Sequence, residues 1–267
     1  MEQINTQSTR IAVFGDNCGM PQLLKILPAE SIVCAIASGN RPQYHQELHK
    51  LTADAEIPLI VQPKFTSPEF PLFIKRIQDY RPELFICNSY SLKIPEKLLE
   101  LVQFNALNVH WSLLPNNRGP NPTQWAIIKG EKVTGVSIHF MTEKIDEGDL
   151  IAQEREVIGD LDTWVSVNKR LEKLAFYLLK ETLPSFLHGT YQRIPQDHCR
   201  ATTNPRLTPE FPRIDFSCMT NQQVYDLIRA QVFPLTGAFI DDPVKGRVHF
   251  PSLVPMEEVE RMRVAYG

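Results

Sequence analysis

Residues 11–38 read IAVFGDNCGMPQLLKILPAESIVCAIAS, and their pattern decides the fold class. IAVF (11–14) is short, apolar and rich in strand formers. PQLLKIL (21–27) has apolar residues at helical spacing, and SIVCAIAS (31–38) is a second apolar run. Strands apolar throughout are buried on both faces. Joined through a helix, they form a parallel, right-handed βαβ unit.

The alternation continues outward. YHQELHKLTADAEI (44–57) reads as a helix and PLIVQP (58–63) as a short strand. SPEFPLFIKRIQDY (67–80) is expected to be a helix with Ser67 as N-cap and Pro68 in its first turn. PELFICNSY (82–90) and FNALNVHW (104–111) are strand-like, with a helix IPEKLLELV (94–102) between them. Beyond 111 the pattern changes. A Pro/Asn-rich loop precedes a short helix (122–130) and two strands, GVSIHFMT (135–142) and DLIAQEREVI (149–158). Residues 162–189 form a long amphipathic helix with an apolar stripe of Val165, Leu171, Leu174, Leu178 and Leu179, closed by Gly189. After a Pro/Arg/Thr-rich linker come a short helix (220–230) and two short strands around GAFI and RVHF. The expected fold is therefore α/β. It has a mostly parallel central sheet over residues 1–190 and a small α+β appendage over 191–267.

Bulk properties narrow the function. The chain has 267 residues, is 43% hydrophobic and 22% charged, and carries a formal net charge of −3 with a pI near 6.2. This argues against a general nucleic-acid binder, which carries a basic excess. The five cysteines (Cys18, Cys34, Cys87, Cys199 and Cys218) form no CxxC pair, as expected of reduced thiols. The N-terminus has no signal-peptide pattern and no run is long enough to span a membrane, so the expectation is a cytoplasmic protein without membrane contact.

In open parallel sheets, ligands bind outside the carboxyl ends of the strands. Gly15–Gly19, Asn88–Ser91 and the pair Asn108/His110 fall at such ends. GDNCGM lacks the dinucleotide-binding glycine spacing, and neither a P-loop nor a G-x-S-x-G elbow occurs. His45 and His49 share a helix face, but Gln46 stands where a zinc helix wants Glu, so no metal site is expected. Asn108 and His110, two apart on a strand, point to one side. An amide can hold an oxyanion while an imidazole moves a proton, a pairing suited to acyl transfer. Asp146, in a turn-prone stretch after a strand, is the candidate for the carboxylate that orients the imidazole. On spacing alone, a strand-end histidine that is merely hydrogen-bonded remains the alternative.

NVHWSLLPNNRGPNP followed by TGVSIHFMTEKIDEGDLIAQ resembles the formyltransferase family that uses 10-formyltetrahydrofolate. The matching features are Asn108 and His110, Ser112 to Pro115, Arg118, Gly119, Pro122, Thr134 to Val136, and Asp146 with Gly148. The resemblance spans residues 10 to 190 and continues more loosely through RIDF and IRAQVFPLTGAF. It implies a Rossmann-like formyltransferase fold. Asn108 would hold the formyl oxygen, His110 would transfer the amine proton, and Asp146 would orient His110. Folate, as the 10-formyltetrahydrofolate cosubstrate, would lie between Leu92, Lys93 and Ile94 and the loop of Thr142, Glu143, Lys144, Ile145 and Asp146.

Among acceptors, the short tail and negative charge disfavour tRNA, so no nucleic-acid partner is expected. Trp125 and His139 are similar to the sugar-modifying members of the family, although Trp125 also reads as helix packing. Ser112, Pro120, Asn121, Trp125 and His139 are the candidate contacts to a nucleotide-linked amino sugar. No second domain for decarboxylating a UDP sugar is read, so a stand-alone transferase is expected. The alternatives are methionyl-tRNA formylation and a non-catalytic folate- or nucleotide-binding relative. Val232, Phe233, Leu235, Phe239 and Phe250 either form a homodimer interface, the reading adopted, or cap the core.

Overall fold

The computed structural model of the chain describes residues 9–267. The first part alternates as the sequence suggests. β1 (Ile11–Gly15), α1 (Gly19–Ile26), β2 (Ile32–Ser38), α2 (His45–Asp54) and β3 (Leu59–Gln62) are followed by α3 (Phe70–Asp79), β4 (Leu84–Asn88), α4 (Glu96–Leu99) and β5 (Ala106–His110). Next come α5 (Pro122–Ile128), β6 (Val133–Phe140), β7 (Leu150–Val157) and the long α6 (Trp164–Leu187). The tail holds α7 (Asn221–Arg229), a hairpin of β8 (Ala238–Asp242) and β9 (Gly246–Phe250), and α8 (Met256–Tyr266).

β1 to β7 form one sheet in the order β3-β2-β1-β4-β5-β6-β7. β1 through β5 pair in parallel, and β6 turns antiparallel against β5. The connections leave β1 in opposite directions, so the carboxyl ends of β1 and β4 flank a topological switch point. β1 and β4 are buried along their whole length, as the unbroken apolar runs require. Phe14, Phe85, Ile36 and Ile60 from four strands meet Phe73 and Ile77 of α3 and Leu98 and Leu99 of α4 in one apolar cluster.

Several boundaries differ from the expectation. α3 starts at Phe70 with Pro71 in its first turn. Ser67 lies in the preceding turn, where its Oγ accepts a bond from the Glu69 amide at 3.3 Å. The segment expected as one helix at 94–102 is a single turn of α-helix followed by a 3₁₀ turn. The buried stripe of α6 is Val167, Leu171, Ala175, Leu179 and Leu183, while Val165, Leu174 and Leu178 are half-buried flanks. α8 was not read from sequence, where MEEVERMRVAY offers only Val259 and Met262 as buried anchors.

The chain forms two compact units, each assembled from several chain segments. Among the described residues, one comprises 9–110, 136–154 and 174–199; the other comprises 111–135, 155–173 and 200–267. The second unit has its own core, in which Val224, Leu227 and Ile228 of α7 pack with Ala238 and Ile240 of β8 and with Val259 and Met262 of α8. Of the tail residues considered for a homodimer face, Val232 and Phe239 are buried and Phe250 packs against this core. Phe233 is the one that stands well clear, at 74% exposed. Capping the core thus accounts for most of that apolar set.

Two ionic clusters tie the second unit together. Arg229 is 1% exposed; it bonds Asp226 at 2.7 Å and the carbonyls of Gly159 and Asp162 at 3.1 and 3.0 Å. Removing one partner of such a buried pair leaves an uncompensated charge. Arg229→Met is expected to lower stability by about 3–5 kcal/mol, read from urea unfolding. Asp162 receives a two-pronged guanidinium contact from Arg170 at 2.8 and 2.6 Å, plus the Ser166 hydroxyl and the Gly159 amide. The guanidinium holds the Asp162 carboxyl far below the usual carboxylate range. A depressed folded value contributes stability that is complete above the ordinary pKa, about 3.9, and is lost as pH falls below it. Asp162→Asn is therefore expected to flatten the loss of stability below about pH 4 relative to the native chain, measured as urea midpoints against pH.

Candidate active site

The site begins with the register of β5 and β6. Asn108 lies directly opposite His139, and His110 opposite Ser137. Residues opposed across an antiparallel pair share a face, so Asn108, His110 and His139 project to the same side of the sheet. Beyond β6 the chain turns through 142–148 and returns Asp146 to that face. The result is a compact polar cluster. His110 Nδ1 and His139 Nε2 each stand 3.5 Å from an oxygen of Asp146. Asn108 Nδ2 donates to His139 Nε2 at 3.1 Å and to Asp146 Oδ1 at 3.4 Å. His110 and His139 are 7% and 2% exposed.

The second nitrogen of His139 settles the direction of one bond. Nδ1 lies 2.8 Å from the carbonyl oxygen of Phe140, which can only accept, so Nδ1 carries the hydrogen. In the neutral ring Nε2 then offers a lone pair to the Asn108 amide. His139, read from sequence as a sugar contact, is placed by the structure inside this cluster.

The turn that delivers Asp146 is constrained by its backbone. Asp146 has φ 57°, a left-handed conformation that a short polar side chain tolerates. Two residues on, a Cβ at Gly148 would fall 1.9 Å from the carbonyl oxygen of Phe140. That explains the glycine of the D-x-G motif: β6 and the returning chain pass too close for any side chain.

Below this cluster, Cys87 pairs in parallel register with Asn108. Burial, then the charges of Asp16 and Asp146, push its thiol above the usual range, so it stays protonated and is no nucleophile. At the switch point Asp16 is 3% exposed. It accepts bonds from the backbone N–H and hydroxyl of Ser38 at 2.9 and 2.6 Å, and from the N–H and hydroxyl of Ser91 at 3.1 and 2.8 Å. This knot joins the ends of three strands. The sequence showed only that the loops carrying it lie at strand ends.

The residues expected to hold folate divide. Ile94 is 3% exposed and belongs to the apolar cluster, so at that position the backbone alone is offered to a ligand. Leu92 is half-buried, and Lys93 is exposed with its carbonyl accepting from Gln62 at 3.2 Å. Thr142, Glu143 and Lys144 line a cavity of about 440 Å³ together with Phe104, Phe140 and Arg193, and Ile145 is 56% exposed. Leu92–Ile94 do not line this cavity.

The remaining candidates lie in the second compact unit. The Ser112 hydroxyl is buried and donates to the Asn116 carbonyl at 2.7 Å. Pro120 is half-buried, and Asn121, at φ 59°, caps α5 while its Oδ1 accepts from the Leu207 amide at 3.3 Å. Trp125 donates to the Pro205 carbonyl at 2.9 Å and meets Phe211 edge-on with centroids 4.9 Å apart. These contacts give Ser112, Asn121 and Trp125 structural employment within their own unit.

This fold is shared with known enzymes. A 4-N-formyltransferase from Francisella tularensis is 21% identical with a TM-score of 0.75, over 93% of this chain and 98% of that one. A sugar N-formyltransferase from a Shewanella species is 20% identical with a TM-score of 0.72, over 92% and 98%. An N-formyltransferase from Helicobacter canadensis, crystallised with folinic acid and dTDP-3-aminofucose, is 18% identical with a TM-score of 0.68, over 85% and 81%. The mostly parallel seven-stranded α/β sheet is thus that of the formyltransferases. The formyl transferase family model matches residues 9–183, and the chain belongs to that family.

The geometry at Gly148 makes a direct prediction. Gly148→Ala must displace either β6 or the turn, so it is expected to lower stability by about 1–3 kcal/mol and to reduce turnover by moving Asp146. Thermal unfolding and initial rates measured on the same preparation check both.

Proposed function

We propose that this protein moves a formyl group from 10-formyltetrahydrofolate to the amino group of a nucleotide-linked amino dideoxy sugar, such as a dTDP- or GDP-4-amino-4,6-dideoxy sugar. The observation that carries the reading is the convergence of Asn108, His110 and Asp146 at one strand end in a chain of the formyl transferase family. The sugar acceptor is supported by the likeness to sugar N-formyltransferases over almost the whole length of both chains. It is further supported by the chain's negative charge, where a tRNA surface wants Lys and Arg. A cytoplasmic enzyme supplying modified sugars for surface polysaccharide is the setting that fits such a product.

The chemistry follows from the donors and acceptors present. The acceptor amine attacks the formyl carbon, and the carbonyl oxygen gains negative charge as the C–N bond forms. Asn108 Nδ2 supplies an N–H to that oxygen, exchanging its long 3.4 Å contact with Asp146 for a shorter, charge-assisted one. His110 takes the proton that the amine loses, and Asp146 at its Nδ1 holds the ring and balances the charge it acquires. The bond from carbon to N10 then breaks, N10 gains a proton, and tetrahydrofolate and the formamide leave. In this reading folate lies between the 92–94 segment and the 142–146 loop and is held largely through backbone contacts.

The test is a formylation assay with dTDP-, GDP- and UDP-linked amino sugars beside charged initiator tRNA, followed by tetrahydrofolate release and product mass. Gain of one formyl group on a nucleotide sugar is the expected result. Formylation of tRNA alone, with a steep fall of affinity as salt rises, would replace the acceptor and keep the chemistry. Asn108→Ala and His110→Ala are expected to lower turnover by about 10²–10³ and 10²–10⁴ with folate binding largely kept. Near-normal rates in either variant would remove that residue from the site.

A further inference from the structure

We propose that Gln196 is a positioning residue for the formyl-transfer site, acting by holding the turn that presents Asp146. This rests on the reading of Asn108, His110 and Asp146 given above and adds a residue that lies beyond every motif by which the site was found.

Gln196 follows α6, in the segment 190–199 that belongs to the same compact unit as the polar cluster. It is 6% exposed. Its Nε2 donates to the carbonyl oxygen of Asp146 at 2.8 Å and to that of Gly148 at 2.7 Å. The two acceptors are backbone carbonyls, which cannot donate, so the amide nitrogen and not Oε1 must face them. Both hydrogens of one amide are therefore spent on the two ends of the D-x-G turn.

That turn needs an external tie. Asp146 is held at φ 57°, and its carbonyl and that of Gly148 both accept from this one amide. Removing this donor from one buried and one part-buried carbonyl is costly. The same segment is clipped alongside the turn by reciprocal backbone bonds between Ile194 and Leu150, at 2.8 and 2.9 Å, and by an Arg193–Asp149 ion pair at 3.1 Å. The clip brings Gln196 to the turn, and the fork then fixes the backbone at Asp146. The side chain of Asp146 touches His110 and Asn108 only at 3.5 and 3.4 Å. At such long separations a small movement of the turn is enough to break the alignment with His110. Misplacements of about 1 Å caused away from the reacting atoms cost on the order of 10²-fold in rate.

Gln196→Met keeps the length and removes the fork. It is expected to lower kcat by about 10–100-fold while both KM values stay within about 2-fold. Gln196→Asn retains the two donors one methylene short and is expected to recover part of the rate. Asp149→Asn weakens the neighbouring ion pair without touching the fork or the cavity and is expected to leave kcat within about 2-fold. Crossing Gln196→Met with Asp146→Asn decides whether the effect runs through Asp146: once that carboxylate is gone, loss of the fork should add little. Full rate in Gln196→Met, equal losses in the Asp149 and Gln196 variants, or multiplicative losses in the double variant would each overturn the proposal. An Asp146→Asn single variant with native turnover would instead overturn the site reading beneath it. If Gln196→Met fails to fold, as judged by its thermal midpoint, the Gln196→Asn and Asp149→Asn variants carry the same comparison.

Discussion

The antiparallel step between β5 and β6 is the constraint on which the site depends. Five parallel strands can place polar residues at their carboxyl ends, but each strand then leaves through a helix and does not return. β6 runs back along β5, which sets His139 directly against Asn108 and Ser137 against His110. It also delivers the chain into a turn that re-enters the same face. An amide, two imidazoles and a carboxylate linked by contacts of 3.1–3.5 Å are the consequence of that reversal.

Placing four polar groups together in a buried site is unfavourable unless each finds a partner. The structure meets that demand in layers. His139 is fixed by the Phe140 carbonyl, Asn108 by His139, and Asp146 by a backbone turn that permits no side chain at Gly148. The Asp16 knot does similar work at the switch point, tying the ends of β1, β2 and the segment after β4 through Ser38 and Ser91. Both polar centres sit at the edge of an apolar cluster made from strands that are buried on both faces. Strands β5 and β6 carry Asn108, His110 and His139, and side chains from distant segments pin the loops beside them.

Family membership and the site geometry constrain the reaction more tightly than the acceptor. The amide–imidazole–carboxylate arrangement suits any amine that can reach a formyl carbon. The candidate acceptor contacts Ser112, Asn121 and Trp125 lie in the second unit, where they are engaged in its own packing. Trp125 shows this: its indole N–H and ring are engaged by Pro205 and Phe211. A side chain already satisfied in this way can border a ligand through its remaining face, but residue type alone does not identify it as a contact.

Much of this was legible in the residues themselves. The order of strands and helices through β7 follows from apolar runs and helical spacing, because burial on both faces imposes its own composition. Asn108, His110 and Asp146 were candidates because two lie two apart on a strand, the third stands in a turn-prone stretch after one, and the motifs around them resemble the formyltransferases. Legibility failed where partners are distant in sequence. Gln196 lies 50 residues from Asp146, and the Ser91 hydroxyl 75 from Asp16. No local pattern announces such pairs. The place of His139 in the cluster depended on register, because a slip of one residue would turn it to the other face. The two interleaved units were likewise hidden, since contacts and not chain order define them. Sequence by itself determined which elements form and which residue types could do acyl transfer, because propensity and burial are local demands. Tertiary structure decided which of those residues meet, and what holds them, because hydrogen bonds between distant segments exist only once the chain has folded back on itself.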